Sequence, residues 1–237
     1  MSINWRAFPY PGGIFREFGI IVLLLVLVAG IWGFAQISEN VSDQDTRSFD
    51  EYVMTSLRQS ANASKPIGPA WGEEVARDIT ALGSKTLLVF FVVAIVGFLF
   101  LKKHKQQAWL ILGASLAGVL LMMGLKLLFV RERPDIIPHL TEALTPSYPS
   151  GHTLMSAVVY VSLAAMLSYF QDSRVLKFYS LAIALLLTFL VGASRVYLGV
   201  HYPTDVLAGW SLGLAWAAFC WILFRYINAK YINEGKL

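Results

Sequence analysis

Three short blocks in the second half of the chain place charged and titratable side chains beside long apolar runs. They span residues 126–134, 149–152 and 194–205. A charge beside a membrane-buried run is tolerated only where it faces water or a polar partner. Together the blocks supply several cations, two imidazoles and one carboxylate, an inventory that suits a bound phosphate better than a protein core.

The first block carries its cations at the end of an apolar run. Lys126, Arg131 and Arg133 precede Pro134, and proline is expected to end the helix there. On a continuous helix Lys126 and Arg133 are seven residues apart and share one face. The alternative is that these cations only reach for lipid headgroups. Lys126 lies about one turn deeper than such an anchor requires.

The second block reads Pro149-Ser150-Gly151-His152 and precedes an apolar run. Ser150 is predicted to be the N-cap residue of a helix. The N–H groups of Gly151 and His152 then point at any anion placed there, and glycine lets the backbone approach it. His152 can donate a proton near neutral pH. The alternative is an ordinary capped helix with a histidine at the membrane interface.

The third block contains Ser194-Arg195, then His201 and Asp205, with Pro203 suited to a first helical turn. His201 and Asp205 are four residues apart, which puts them on one helical face if the helix already includes His201. A carboxylate on one imidazole nitrogen fixes the tautomer and frees the other nitrogen to attack. The alternative reading makes Asp205 a plain helix cap.

A metal site is not predicted. The four histidines, among them His104 and His139, show no zinc-like spacing with carboxylates, and neighbouring cations repel a metal ion. The single cysteine, Cys220, allows neither an intramolecular disulfide nor a cysteine-based metal site. We expect no cofactor.

Composition predicts a membrane protein. Of 237 residues, 57% are hydrophobic and only 14% are charged, and the mean hydropathy is +0.60. A soluble domain has about 25% charged residues. The net charge of +4 does not predict a nucleic-acid partner, because most basic residues lie beside apolar runs rather than on a polar domain.

Six apolar stretches are long enough to cross a bilayer or nearly so. They lie at about 18–37, 86–101, 108–130, 153–170, 178–193 and 206–224. We therefore predict an all-α, polytopic protein with six transmembrane helices, forming a single membrane-embedded domain over residues 1–237. The first stretch alternatively resembles a cleaved signal peptide, but its length favours a retained span.

The orientation follows from lysines and arginines near the span ends, which favour the cytoplasm. Their bias predicts that both termini are inside the cell (N-in/C-in). Residues 38–85 are then an extracytoplasmic segment, with a short amphipathic helix predicted over 72–82. Residues 86–224 form the catalytic helical core. The alternation of spans alone places all three blocks on one side of the membrane, the outer side in this orientation.

The three blocks together closely resemble the type 2 phosphatidic acid phosphatase family, which shares its site with the vanadium haloperoxidases. The family pattern is Lys, six residues, Arg-Pro; then Pro-Ser-Gly-His; then Ser-Arg, five residues, His, three residues, Asp. This chain matches each block in residue and spacing. The resemblance covers about 86–224, and the first span and outer segment look like those of the bacterial integral-membrane branch.

The resemblance implies metal-independent hydrolysis through a phosphohistidine. His201 is then the nucleophile, Asp205 orients it, and His152 protonates the leaving oxygen and activates water. The phosphate would be held by five residues, namely Lys126, Arg133, Ser150, Gly151 and Arg195. Arg131 and Ser194 are expected to support these groups from behind.

The expected activity is that of a lipid phosphatase in a bacterial inner membrane, with its site facing the extracytoplasmic side. Candidate substrates are phosphatidylglycerol phosphate, phosphatidic acid and undecaprenyl pyrophosphate. The expected partners are that phospholipid or polyprenyl pyrophosphate and the lipid bilayer, with no nucleic acid and no obligate protein partner. One alternative is a lipid phosphotransferase using the same site. Another is a non-catalytic transporter of lipid or phosphate.

Overall fold

The computed structural model describes residues 14–141 and 145–233. The helices in this part of the chain are α1 (Ile14–Ser42), α2 (Arg47–Ser56), α3 (Gly72–Ala81), α4 (Lys85–Leu101), α5 (Lys105–Phe129), α6 (Gly151–Ser156), α7 (Ser162–Tyr169), α8 (Arg174–Tyr197) and α9 (Pro203–Asn233). A hairpin of β1 (Arg58–Gln59) and β2 (Asn62–Pro66) lies between α2 and α3. Residues 1–13 and 234–237, which contribute to the N-in/C-in prediction, lie outside the described residues.

The long helices coincide with the predicted spans. Five spans in the described part of the chain are long and apolar enough to cross a membrane on their own. One of them, Gly151–Tyr169, joins α6 and α7 through a π-helical turn at Ala157–Val161. Only helices satisfy every backbone polar group within a single span. The all-α, polytopic prediction is confirmed.

The second predicted span, 86–101, corresponds to α4, which has 17 residues. It passes the same test of length and hydropathy only together with α3, from which it is bent by 42°. Ser84 begins α4, and its side chain accepts a hydrogen bond from the backbone N–H of Leu87 at 3.3 Å. This is the usual way to satisfy a free first-turn donor. Counted as one span, this bent pair brings the candidate spans in the described residues to six.

Residues 38–85, the segment predicted to lie on the outer side, form a small structure of short helices and a hairpin between α1 and α4. The amphipathic helix predicted over 72–82 is present as α3, with Ala76 and Thr80 on its buried face. The sequence did not predict α2 or the short hairpin. The two strands of the hairpin have only two and five residues. Such short strands leave no alternation to detect.

Close helix packing depends on small residues at two helix contacts. A Cβ on Gly30 of α1 would come within 2.5 Å of the carbonyl oxygen of Ser211 in α9. A Cβ on Gly213 of α9 would come within 2.7 Å of the Ala157 side chain. Small residues let spanning helices approach this closely. The first and last helices therefore lie side by side, and α9 also contacts α6.

Candidate active site

The three sequence blocks meet at one end of the helix bundle. The backbone N–H of Ser150 donates to the carbonyl oxygen of Asp205 at 3.0 Å, which ties the second block to the third. The Nη1 of Arg133 donates to the carbonyl oxygen of Val200 and lies 3.3 Å from Nε2 of His201, which ties the first block to the third. The predicted site residues of all three blocks therefore surround one point.

His201 and Asp205 form a buried pair. Helix α9 begins at Pro203 and does not include His201, so the condition for a shared helical face is not met. The turn before α9 nevertheless brings His201 Nδ1 to 3.2 Å from Asp205 Oδ2. With a proton on Nδ1, the lone pair lies on Nε2, the nitrogen beside Arg133. This is the arrangement that frees one imidazole nitrogen to attack.

Asp205 is fully buried, and donors surround both of its oxygens. Oδ1 accepts from Arg131 Nη1 at 2.7 Å. Oδ2 accepts from the Ser147 hydroxyl and from the backbone N–H of Tyr202, the latter at 3.0 Å. The bond from Tyr202 is the reciprocal cap that a carboxylate in a first turn can make. Asp205 therefore both caps the start of α9 and lies within hydrogen-bond distance of the His201 ring.

Burial governs the charge of His201, which is only 1% exposed. Loss of solvent lowers the pKa of His201 well below its ordinary value, although the bond to Asp205 pulls that pKa back up. The imidazole is therefore neutral at neutral pH. A neutral imidazole is the form that can attack an electrophile.

Lys126 and Arg133 reach the site from different structures. Helix α5 ends at Phe129, and Val130 takes a left-handed conformation, so the predicted shared helix face is wrong. Lys126 is 9% exposed and its Nζ donates to the carbonyl oxygen of Pro146. Arg133 extends from the loop, where its Nε donates to the carbonyl oxygen of Thr145 at 2.8 Å. The loop, rather than helix periodicity, brings the two cations together.

Arg195 is 3% exposed near the end of α8. Its Nη1 donates to the Thr80 hydroxyl at 3.0 Å, and its Nε is buried without a hydrogen-bond partner. Among the described residues, none of Lys126, Arg133 and Arg195 forms an ion pair, whereas the nearby Arg131 forms two. Buried cations without counterions are costly unless an anion joins them. The buried Lys126 and Arg195, with the half-buried Arg133, are therefore candidates to bind an anion.

Ser150 and Gly151 stand at the start of α6, as predicted. The Ser150 side chain does not cap the helix; its hydroxyl oxygen instead accepts a bond from the Thr153 hydroxyl at 2.9 Å. A Cβ on Gly151 would come within 2.7 Å of the Met122 sulfur. Close packing against α5 therefore also requires glycine at this position. Glycine leaves the first-turn N–H groups open as well.

His152 is half-buried in the first turn of α6. It interacts electrostatically with Arg195, His201, Arg133 and Lys126, which places it within the same cluster. Gly83, in the bend between α3 and α4, packs close to it: a Cβ there would lie 2.5 Å from Val191 and 3.3 Å from the His152 ring. The bent helix pair thus helps to seat the second histidine.

Arg131 and Ser194, the two residues predicted to support the site from behind, make different contacts. Arg131 contacts Asp205 directly, as described above. The Ser194 hydroxyl instead donates to the carbonyl oxygen of Val191 in its own helix, at 2.7 Å, and reaches no phosphate-binding side chain. His139 lies in the loop before the second block, and its Nε2 contacts the carbonyl oxygen of Pro134.

Sequence reasoning missed four residues that contact the site side chains. They are Asp50, Thr80, Ser147 and Thr204. Two of them come from the outer segment, and neither lies in a recognisable pattern. Ser147 lies just before the second block and Thr204 lies within the third, but a lone hydroxyl residue carries no spacing signal of its own.

An apolar cleft of about 730 Å³ lies beside the site. The outer segment contributes α2 and α3 to its wall, and the spans contribute the ends of α8 and α9. Its lining includes Phe49, Val75, Leu190 and Trp210, together with Ser194, the neighbour of Arg195. Leu207, which also lines the cleft, is 40% exposed on α9. The cleft is therefore continuous with the lipid-facing surface of that span.

The described residues contain no group of three or more His, Cys, Asp or Glu side chains placed to hold a metal ion. What they do contain is a neutral, oriented imidazole and three cations aimed at the same space. Phosphoryl transfer places charge on the equatorial oxygens of phosphorus, where such cations stabilise it. The arrangement is suited to nucleophilic attack on a phosphate.

Comparisons with known proteins agree with this chemistry. A family model described as the PAP2 superfamily matches residues 107–229. Phosphatidylglycerophosphatase B of Bacillus subtilis (strain 168) is 37% identical over 171 residues, which cover 68% of this chain and 82% of that protein. Lipid A 4'-phosphatase of Porphyromonas gingivalis is 30% identical over 168 residues, covering 65% of this chain and 68% of that protein.

A solved structure is also similar. The crystal structure of a transmembrane PAP2 type phosphatidylglycerolphosphate phosphatase from Bacillus subtilis superposes with a TM-score of 0.75 at 31% identity. The match covers 87% of this chain and 97% of that one. The similarity therefore extends beyond the residues of the family model to most of the helices described above.

Proposed function

This chain belongs to the PAP2 superfamily and is a membrane-embedded hydrolase of lipid phosphates, and we propose that it works through a phosphohistidine at the outer face of the membrane. The proposed substrates are lipids with a terminal phosphomonoester or pyrophosphate. Phosphatidylglycerol phosphate, phosphatidic acid and undecaprenyl pyrophosphate are the three candidates.

One observation carries the proposal: Arg133 lies 3.3 Å from the free nitrogen of a neutral histidine, and the buried cations Lys126 and Arg195, which form no ion pair among the described residues, belong to the same cluster. Lys126, Arg133 and Arg195 would hold the non-bridging oxygens of the phosphoryl group. The open N–H groups at the start of α6 would add neutral donors. The group that attacks and the groups that stabilise charge are then in place before the substrate arrives.

In the first step, Nε2 of His201 attacks phosphorus and the bond to the leaving lipid oxygen breaks. His152 gives a proton to that oxygen, a step that requires the imidazolium form, which the negative charge of the bound phosphate favours. Asp205 accepts the hydrogen bond from Nδ1–H of His201 and stabilises the positive charge that His201 gains. In the second step, neutral His152 takes a proton from water, the water oxygen attacks phosphorus, and the bond to Nε2 breaks. Free phosphate leaves and both histidines return to their starting states.

The apolar cleft supports a lipid rather than a soluble phosphate ester as the substrate. Its lining from α8 and α9 includes the exposed Leu207 and also Ser194, the neighbour of Arg195, so we infer that a hydrocarbon chain lies there with its phosphate directed toward the cation cluster. Burial of methylene groups contributes about 0.8 kcal/mol each. A long-chain substrate should therefore have a higher kcat/KM than a short-chain analogue with the same headgroup.

The test is phosphate release by purified protein in detergent. Wild type is assayed on the three candidate lipids and on short-chain phosphatidic acid, with and without EDTA. His201→Ala is expected to lose activity by on the order of 10³-fold or more, the size of loss seen when a nucleophile is removed. EDTA should leave wild type active. His104→Ala, at the start of α5 and outside the site, is the matched control.

Each outcome has a clear reading. Retained phosphate release by His201→Ala would overturn the phosphohistidine mechanism. Loss of activity in EDTA, restored by a divalent metal, would overturn metal independence. Radiolabel passing from a lipid pyrophosphate to a second lipid, rather than to free phosphate, would show transfer in place of hydrolysis.

A further inference from the structure

We propose that Asp50, in the outer segment, is a positioning residue that holds the catalytic Asp205 and His201 in register through Arg131. The inference rests on the proposed function, because it concerns the same nucleophile. Asp50 lies outside residues 107–229, which the family model matches. The outer segment would thereby supply part of the catalytic apparatus.

Asp50 is a fully buried carboxylate on α2. Its Oδ1 accepts a hydrogen bond from the backbone N–H of Thr204 at 3.0 Å. Its Oδ2 accepts from the Thr204 hydroxyl at 2.7 Å and from Arg131 Nη2 at 2.8 Å. A buried charge is tolerated only when it is paired and hydrogen-bonded. Asp50 meets both conditions through contacts with the second half of the chain.

Arg131 bridges two buried carboxylates. Its Nη2 contacts Asp50 and its Nη1 contacts Asp205 Oδ1 at 2.7 Å. Nη1 also donates to the Thr204 hydroxyl at 2.9 Å, and the guanidinium lies 4.2 Å from the centre of the Tyr202 ring. The planar guanidinium offers its donors in a fixed fork. The position of Asp50 therefore fixes that of Arg131, and Arg131 fixes one oxygen of Asp205.

The charge balance explains why a second carboxylate is needed. A lone Arg131 would neutralise Asp205, and the field that Asp205 exerts on His201 would weaken. With Asp50 present, the three groups carry one net negative charge. That charge remains available to stabilise the imidazolium that forms when His201 attacks phosphorus.

Asp50→Asn tests this role with little change in shape. The amide oxygen can still accept from Thr204, so the contact with the start of α9 survives, but the amide nitrogen cannot accept from Arg131. We expect kcat to fall by on the order of 10- to 100-fold, the range seen when a partner that orients a site residue is removed. KM should change little, since Lys126, Arg133 and Arg195 still bind the phosphate.

Glu51→Gln is the matched control. It removes a carboxylate from the next position of α2, where Glu51 pairs only with the exposed Arg47. Its kcat and its Tm should match wild type. Equal losses in Glu51→Gln and Asp50→Asn would show that any charge removed from α2 disturbs the protein, and would overturn the proposal.

A double-mutant cycle separates positioning from plain stability. If Asp50 acts through Arg131, Asp50→Asn should lower kcat much less in an Arg131→Gln background than in wild type. Additive losses in kcat, or a kcat loss that tracks the fall in Tm, would overturn the proposal. Wild-type kcat in Asp50→Asn beside an inactive His201→Ala would reject the role of Asp50 alone and leave the phosphohistidine mechanism intact.

Discussion

At the residue scale, the orientation of His201 is fixed by hydrogen bonds to neighbouring side chains. Asp205 holds Nδ1, while Ser147 and Arg131 hold Asp205. An oxygen saturated with donors stays ionised even in a buried site. The nucleophile is thus oriented by a chain of fixed contacts, and only its far nitrogen faces the cation cluster.

Acid should destabilise the protein through His201. Its pKa is lower in the folded state than the value of about 6.5 in an unfolded chain. The unfolded state therefore binds a proton first, and stability present above about pH 6.5 is lost as the pH falls toward the folded-state pKa. The loss is at most about 1.4 kcal/mol per pH unit.

The measurement is Tm in detergent between about pH 7 and pH 4. His201→Gln, which cannot take up the proton, should lose less Tm over this range than wild type. Identical pH slopes for the two proteins would contradict the prediction.

At the element scale, the sequence predicts the helical spans and misses the contacts between residues that are far apart in the chain. The apolar runs predicted the spans because a single segment in lipid must satisfy its own backbone hydrogen bonds, which it does as a helix. The prediction failed at helix ends: α5 stops at Phe129, five residues before Pro134. Contacts such as that between Thr80 and Arg195 join residues far apart in the chain, so no spacing rule detects them.

Substitution by valine should lower the stability of the protein at Gly213 and leave it nearly unchanged at Gly113. Gly213→Val places its Cβ 2.7 Å from Ala157 and 2.8 Å from the Leu154 carbonyl oxygen, so α9 and α6 must separate. Overpacking of this kind costs about 1–3 kcal/mol. Gly113 on α5 has no neighbouring atom within 4 Å of the added carbon.

Thermal unfolding in detergent distinguishes the two variants. Gly213→Val should lower Tm by several degrees and reduce activity, while Gly113→Val should leave Tm near that of wild type. A Tm for Gly213→Val equal to that of the control would show that the α6–α9 contact is looser than described.

At the scale of the whole molecule, the proposed mechanism draws on both the spans and the segment 38–85. The spans contribute Lys126, His152 and Arg195, while α2 and α3 contribute Asp50 and Thr80. The same two outer helices form one wall of the apolar cleft. A change in residues 38–85 can therefore alter both the rate of phosphate release and the choice of lipid.

The proposed orientation can be tested with single cysteines. In a Cys220→Ser background, Ser60→Cys lies in the exposed turn of the outer hairpin, and Lys105→Cys lies exposed at the start of α5. With the site outside the cell, a membrane-impermeant maleimide should label only Ser60→Cys in intact cells. Both variants should be labelled after lysis. Labelling of Lys105→Cys alone in intact cells would reverse the orientation.

The pairing of α1 with α9 bears on how the protein is made. The first helix leaves the ribosome long before the last, and Asp50 is translated long before Thr204, its partner at the start of α9. Until α9 is inserted, Asp50 is a membrane-proximal charge without its full set of contacts, and the nucleophile is not yet translated. A chain that ends before α9 therefore lacks Asp205 and leaves uncovered the face of α1 that packs against α9.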